Sequence, residues 1–228
     1  MFPELIETDR LRLERMDRAL GARQFYAAAG AGQTTTIDRE TEFLSWEPHD
    51  HPKESADVLA DFTEKWDDHE WAGYVVIPRE GEPYAGLLAG NAALGPDWDR
   101  RRGTLGVWLR KPFWGRGYSG ERARALAALA FERLDLEIVS VDVLPDNEQS
   151  VRAIEKYVES MGGRREGRFR NEVAVGGEPH DTVSFSVSRE EYEATVDEPP
   201  ATFVDELDEP ALEGVPPAEV TPEATTDE

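Results

Sequence analysis

Apolar positions along this chain switch between two spacings, and the switches divide it into elements. Arg10–Glu14 alternates, with Leu11 and Leu13 on one face, as a short strand does. Three further β-like runs follow, Ala72–Ile77, Tyr84–Ala93 and Gly103–Leu109, separated by the polar breaks REGEP and PDWDRRR. Breaks that short join neighbouring antiparallel strands, so a meander is expected here. Helical spacing marks Ala19–Ala29, and Glu54–Glu70 with Val58, Leu59, Phe62 and Trp66 at steps of three and four. It returns in Glu121–Leu134, where Ala123, Leu126, Ala127, Ala130, Phe131 and Leu134 form one stripe, and in Asn147–Met161, with Val151, Ile154, Val158 and Met161 inward. Between these two helices lies a β-branched strand, Glu137–Leu144. A hairpin closes the pattern, Arg164–Val175 and Thr182–Val187 across VGGEPH. Residues 30–52 read as loop. The class is α/β (α+β): a mixed, mostly antiparallel sheet whose last part is a strand–loop–helix–strand unit.

Charge changes the picture at the C-terminus. Residues 193–228 hold twelve acids, six prolines and no lysine or arginine. Such a segment is expected to be disordered, because it has too little apolar surface to offset its ordering entropy. One domain, residues 1–192, is expected before it. The whole chain has 48 acidic against 25 basic residues, a net charge of −23, and only four lysines. A surface this acidic is tolerable where salt screens it, since the Debye length falls to about 3 Å at 1 M; a halophilic source is expected. The acidity also argues against nucleic acid as a partner, there being no basic stripe to displace counterions. Cysteine is absent, which removes disulfides, thiol nucleophiles and cysteine metal sites. His49 and His51 are too few and too close in a loop to suggest a metal site, and no metal is expected. The first residues, MFPELIETDR, lack the apolar core of a secretory signal, and no run approaches the ~18 apolar residues of a membrane span. The expectation is a cytoplasmic protein, a monomer or homodimer, with no membrane contact.

The chemistry-bearing stretch is LRKPFWGRGYSGER, residues 109–122, with glycines at 115, 117 and 120. It lies between a strand and a helix. Amides at a helix N-terminus and the helix dipole attract phosphate oxygens, and glycines let the backbone come close. The GxGxxG spacing also fits a dinucleotide fingerprint, but that fingerprint should follow the first strand of a parallel sheet. Here three antiparallel strands precede it, which disfavours an NAD-dependent oxidoreductase. No GK[ST] follows, so it is not a Walker A loop. A purely structural glycine turn is the remaining alternative.

WLRKPFWGRGYSGERARALAALAF, followed by VDVLPDNEQSVRAIEK, resembles the GNAT superfamily of acetyl-CoA-dependent N-acetyltransferases, and most of all its RimJ/RimL-like branch. The likeness spans about residues 5–190; the opening ETDRLRLERM is similar to that branch's first strand, and RREGRFRNE to the strand after its last helix. The resemblance implies a GNAT fold with acetyl-CoA as co-substrate and a primary amine as acceptor, either a protein N-terminus, as in ribosomal proteins, or a small molecule. Trp114, Gly117 and Ser119 hold the first, fourth and sixth positions of the family's Q/R-x-x-G-x-G/A loop. Amides of Gly115, Arg116, Gly117, Tyr118 and Ser119 would then cradle the pyrophosphate, and backbone groups of Trp108 and Leu109 would pair with the pantetheine arm. Asn147 and Ser150 match the N-x-x-S motif, where the asparagine contacts pantetheine and the serine can lie beside the sulfur. Asp146 or Asn147 also makes a good helix cap, and Asp146 with Gln149 resembles a capping box.

Two catalytic slots of the family are altered. The tyrosine that commonly reprotonates the thiolate is replaced by Ile154, with Tyr157 a turn further on; Ser150 is the candidate acid. The glutamate before the family's G-x-W stretch is replaced by Thr104. Candidate bases are Asp142, which alternates with Val141 and Val143, and Glu47, with His49, in WEPHDHP. The segment EKYVESMGGRREG is about three residues longer than the family's E-K-L-G-F. These departures keep a non-catalytic acyl-CoA-binding protein in view as the alternative.

Overall fold

The structure, a computed structural model, describes residues 1–208 and 210–216. Its strands are β1 (Leu5–Glu7), β2 (Leu11–Arg15), β3 (Ala72–Pro78), β4 (Gly90–Asp97), β5 (Arg102–Leu109), β6 (Ile138–Val143), β7 (Arg164–Val175), β8 (Glu178–Ser188) and β9 (Thr202–Val204). They form one nine-stranded sheet in the order β7-β8-β6-β5-β4-β3-β2-β1-β9. Every neighbouring pair is antiparallel except β5 and β6. The helices are α1 (Met16–Ala19), α2 (Ala22–Ala29), α3 (Ile37–Thr41), α4 (Pro52–Asp67), α5 (Tyr118–Ala128), α6 (Glu148–Glu159) and α7 (Arg189–Thr195), and α5 continues into a π turn at Leu129–Arg133. The parallel β5–α5–β6 crossover is the one place where a helix must connect two adjacent strands.

Helices cover both faces, and β3 shows why its sequence is apolar throughout. Tyr74 and Val76 point into a core built with α5 and α6, whereas Val75 and Ile77 point into a second core with α2 and α4. All seven residues of β3 are buried, as expected of a strand covered on both sides.

The observed elements correct several expectations. The strand expected at Tyr84–Ala93 starts at Gly90. Before it the chain turns: Tyr84 (φ 62°) and Gly86 (φ 77°) are left-handed. At Gly90 a Cβ would lie 2.0 Å from the Trp108 carbonyl oxygen, so only glycine fits. Residues 30–52 contain the short helix α3. The helix expected at Glu54–Glu70 begins earlier, at Pro52, capped by His51, whose Nδ1 accepts the Glu54 amide at 3.2 Å.

The larger correction concerns the acidic tail. Residues 193–208 and 210–216 are ordered against the domain. Strand β9 pairs with β1 at the sheet edge, and Phe203 packs on the α5-side core. The Ala211 amide donates to both oxygens of Glu14 (3.1 and 3.0 Å), a carboxylate buried in β2. Leu212 and Val215 pack on the core shared with α2 and α4. The Arg110 guanidinium, itself buried, donates to the Pro216 carbonyl at 3.3 Å. A handful of apolar residues and a few backbone hydrogen bonds thus suffice to seat a segment whose composition alone suggests disorder. Glu209 and residues 217–228 lie outside the described residues.

Candidate active site

Strands β5 and β6 run parallel only over Arg102–Thr104 against Ile138–Ser140. Beyond Thr104 the pairing stops and the strands diverge. On its other side β5 stays paired with β4 as far as Leu109. The Arg110 amide donates to the Ala89 carbonyl at 2.8 Å, and Trp108 and Gly106 stand opposite Asn91 and Ala93. Backbone groups of Trp108 and Gly106 therefore turn towards β4, and those of Val107 and Leu109 turn into the gap. This corrects the expectation that Trp108 offers its backbone to a pantetheine arm. The Trp108 backbone is engaged with β4, and the backbone groups on the gap side are those of Val107 and Leu109.

At the mouth of the gap the chain makes a loop before α5. Gly115 (φ 77°) and Gly117 (φ 80°) are both left-handed, a conformation that costs other residues about 1–2 kcal/mol. Gly117 caps α5, and its carbonyl accepts the amides of Gly120 and Glu121, each at 3.1 Å. Among the described residues, the five successive amides from Gly115 to Ser119 have no protein acceptor. They stand at the positive end of the helix dipole. A row of unpaired N–H groups there is an anion cradle.

The loop is braced from a strand turn far away in sequence. Glu121 accepts from the Thr8 hydroxyl (2.6 Å), the Arg10 amide (2.8 Å) and Arg10 Nε (2.7 Å). Arg10 Nη1 in turn donates to the Arg116 carbonyl at 3.0 Å. On the other side, Trp114 Nε1 donates to the Leu109 carbonyl at 2.6 Å, pinning the loop to the end of β5. Arg10 was missed as a site residue because its role depends on β1 and β2 meeting α5. The pairing of Arg10 with an acid in the first turn of α5 has no local signature.

Cradle and gap open into one cavity of about 760 Å³, a size suited to a small ligand or cofactor. Of the residues expected at the site, it brings together Trp108, Leu109, Trp114, Gly115, Gly117, Tyr118, Ser119, Asn147 and Ser150. Asn147 is the N-cap of α6, its Oδ1 accepting the Ser150 amide at 3.2 Å; among the described residues Asp146 makes no capping bond. The Tyr118 ring is buried and its hydroxyl donates to Glu82 at 2.7 Å, so only its backbone faces the cradle. Burial, helped by Glu82, pushes that phenol well above its ordinary pKa.

Three expected residues lie elsewhere. The Arg116 side chain folds back to the Pro112 carbonyl (3.1 Å) and stacks over Tyr84, leaving its amide alone in the cradle. Asp142 is exposed on β6, because Val141 and Val143 alternate with it into the α5-side core. Glu47 is exposed in its loop. Neither acid lines the cavity. His49 is buried, its Nδ1 2.7 Å from the Ser55 hydroxyl and its ring edge-on to Phe25, and burial lowers its pKa. It is a packing residue. No cluster of three potential metal ligands occurs among the described residues.

Behind the cavity wall Arg122 is fully buried and, among the described residues, has no carboxylate partner. Its Cζ stands 5.8 Å from the centre of the Tyr157 ring and its Nη1 donates to the Gly106 carbonyl at 3.4 Å. Ile154 is buried in the core on the inner face of α6, and Thr104 Oγ1 lies 3.5 Å from the Ser140 hydroxyl.

A gap between a parallel strand pair, closed by an amide cradle, is matched by a family assignment: residues 10–157 match the family described as acetyltransferase (GNAT) domain. The chain belongs to the GNAT family. Among curated relatives, the chain is 35% identical over 111 residues to a Bacillus subtilis protein named "Putative ribosomal N-acetyltransferase YdaF", covering 48% of this chain and 58% of that one. The chain thus spans little more than half the length of that relative. It is 22% identical to the uncharacterized N-acetyltransferase p20 of Bacillus licheniformis, over 83% of this chain and 98% of that one. Among solved structures, a GCN5-related N-acetyltransferase from Brucella melitensis superposes with a TM-score of 0.68 at 21% identity, covering 86% of this chain and 83% of that one. Spermidine N-acetyltransferase from Vibrio cholerae, solved with CoA and spermine, gives 0.61 at 17% identity, covering 80% and 98%. At such identities these two likenesses speak for the GNAT fold alone. No helix among the described residues is long and apolar enough to cross a membrane.

Proposed function

We propose that this GNAT chain is an acetyl-CoA-dependent N-acetyltransferase acting on a primary amine. The observation that carries the reading is the run of five unpaired amides, Gly115 to Ser119, at the head of α5 and at the mouth of the β5–β6 gap. The amides and dipole hold the pyrophosphate of CoA. Val107 and Leu109 pair with the pantetheine as an added strand would. The thioester then lies deep in the gap, with Asn147 and Ser150 at the start of α6 beside it.

α5 and α6 fill one face of the sheet, so the amine enters from the face carrying α2 to α4. Its nitrogen lone pair attacks the thioester carbonyl carbon, a C–N bond forms, and the C–S bond breaks as the intermediate collapses. The Ser150 hydroxyl donates its proton to the departing thiolate and regains one from water. Asp142 and Glu47 stand outside the cavity; the amine loses its proton before it attacks, to water or to a carboxylate that lines the cavity, such as Glu42. Catalysis by positioning is enough for such a transfer. The rate then climbs with pH until the acceptor amine is neutral, near its own pKa of about 8 for an α-amine. The name of YdaF, a ribosomal N-acetyltransferase, supports a ribosomal amine as one acceptor.

Free-thiol release from acetyl-CoA, measured at high salt with a panel of N-terminal peptides and polyamines, tests the reading. Turnover with at least one acceptor is expected. CoA binding without turnover on the whole panel would favour an acyl-CoA-binding protein, the reading that Ile154 and Thr104 support.

A further inference from the structure

The sheet face opposite α5 and α6 carries an indole laid across three strands. Trp71 directly precedes β3 and, by alternation, shares the face of Val75 and Ile77. A Cβ on Gly95 of β4 would stand 2.5 Å from its Cζ3. One on Gly73 of β3 would stand 3.5 Å from its Cδ1, and one on Gly106 of β5 3.6 Å from its Cζ2 and Cη2. Glycine inside a strand marks a close approach, and at Gly95 what approaches is this ring. Its outer edge reaches Gly106. Thr104 and Ser140 are the last residues that β5 and β6 pair; two positions on, Gly106 and Asp142 stand on either side of the opening gap. Val141 and Val143 point into the α5-side core, so Asp142 projects on the same face as Trp71. Asp142 is exposed and Trp71 half-buried. Arg102, on this face too, donates Nε to the Ser140 hydroxyl at 2.9 Å, where the gap is still closed.

An indole offers apolar surface to a carbon chain and its face attracts a cation. A carboxylate takes an ammonium or guanidinium by charge-assisted hydrogen bonds. Placed against the reacting amine, however, a carboxylate would favour its protonated form, which has no lone pair with which to attack. The cation that suits Asp142 is therefore a second one. We propose that Trp71 and Asp142 form an acceptor subsite at the lip of the gap, selecting a primary amine that carries a second cationic group a few bonds from the reacting nitrogen. Trp71 packs along the carbon chain between the two groups. Asp142 holds the second cation while the neutral amine reaches into the gap. A diamine and a peptide with lysine next to its N-terminus share this chemistry. The inference rests on the acetyl-transfer reading above and adds an acceptor class to it.

Calorimetric titration of the CoA-loaded full chain with two matched pairs, at one fixed salt concentration, tests it. The pairs are 1,4-diaminobutane against 1-aminopentane, and alanyl-lysine amide against alanyl-norleucine amide. The dicationic member is expected to bind about tenfold more tightly in at least one pair, and the pair that discriminates identifies the source. Asp142→Asn is expected to abolish that preference while leaving the affinities for CoA and for the monocationic member unchanged, which also shows that the variant is folded. Trp71→Leu is expected to weaken both members of the pair with CoA affinity unchanged. Equal binding within both pairs by the intact protein, or no binding of any of the four, overturns the subsite. So does a preference that survives Asp142→Asn, since it then belongs to the overall negative charge of the chain. Failure to bind CoA is a different result, which removes the CoA reading; the same pairs titrated against the unloaded chain then decide the subsite by the same outcomes.

Discussion

Replacing Arg10 by alanine isolates the brace of the anion cradle from the cradle itself. Arg10 contributes no atom of the amide row. Its guanidinium joins Glu121 in the first turn of α5 (Nη2 to Oε2, 2.6 Å) to the Arg116 carbonyl within the loop (3.0 Å). The Arg10→Ala variant keeps the Thr8 hydroxyl and the Arg10 amide on Glu121 but removes three polar side-chain contacts and the stacking of the guanidinium over Tyr118. Hydrogen bonds to a charged partner are worth about 1.5–3 kcal/mol when sheltered. The Arg10 side chain is 39% exposed against 10% for Glu121, so solvent screening reduces the loss to about 1–2 kcal/mol. In a chain of this size that lowers the melting temperature by roughly 2–8 °C. The loop then samples conformations in which its amides diverge, and CoA affinity falls about tenfold, since each 1.4 kcal/mol is a factor of ten. Thermal melts and calorimetric titration with CoA read the two effects separately. A variant with the expected drop in melting temperature but CoA affinity within twofold of the parent would refute the bracing role.

Further outcomes follow from other contacts. Gly117→Ala places a Cβ at φ 80° and 3.3 Å from Arg10 Nη2, so stability falls by about 1–2 kcal/mol and CoA binding weakens; an unchanged melt would show that the loop is not held in this conformation. Deleting residues 202–228 strips β9 from β1 and the Ala211 amide from buried Glu14. It is expected to cost about 2–4 kcal/mol by denaturant titration, whereas a disordered tail would cost nothing. Burial depresses the pKa of His49 below its unfolded value of about 6.5. The unfolded chain therefore takes up its proton first. The stability tied to neutral His49 is present above pH 6.5 and is lost as pH falls below it, so between pH 7 and 5 the parent should lose more stability than His49→Gln, and parallel profiles would contradict this. A net charge of −23 predicts a melting temperature that rises from 0.1 to about 2 M KCl as self-repulsion is screened; a flat response would exclude it.

Much of the sheet and its helices was legible from spacing. The stripe of Ala123, Leu126, Ala127 and Ala130 gave α5, and the run from Ala72 to Ile77 gave β3 within a residue. The left-handed turn at Gly115 and Gly117 was legible too, because glycines between a strand and a helix carry their reason locally. What stayed hidden depends on contacts distant in sequence. Three-residue β1 is too short to show a period and exists by pairing with β2 and β9. The tail is ordered by partners such as Glu14 and Arg110, nearly two hundred and about a hundred residues earlier. Backbone direction at Trp108 depends on the register with β4, which spacing does not reveal. Asp142 was read correctly as alternating with two valines, but the alternation faces it to solvent and away from the cavity.

The central claim is that the amides of Gly115 to Ser119 hold the pyrophosphate of CoA. An amide-resolved NMR titration of the isotope-labelled chain with CoA at high salt addresses it directly. The account predicts that these five resonances move furthest and together, with Val107 and Leu109 following, and that pyrophosphate alone moves the five but not the two. Saturable CoA binding that leaves the Gly115–Ser119 amides in place would contradict it.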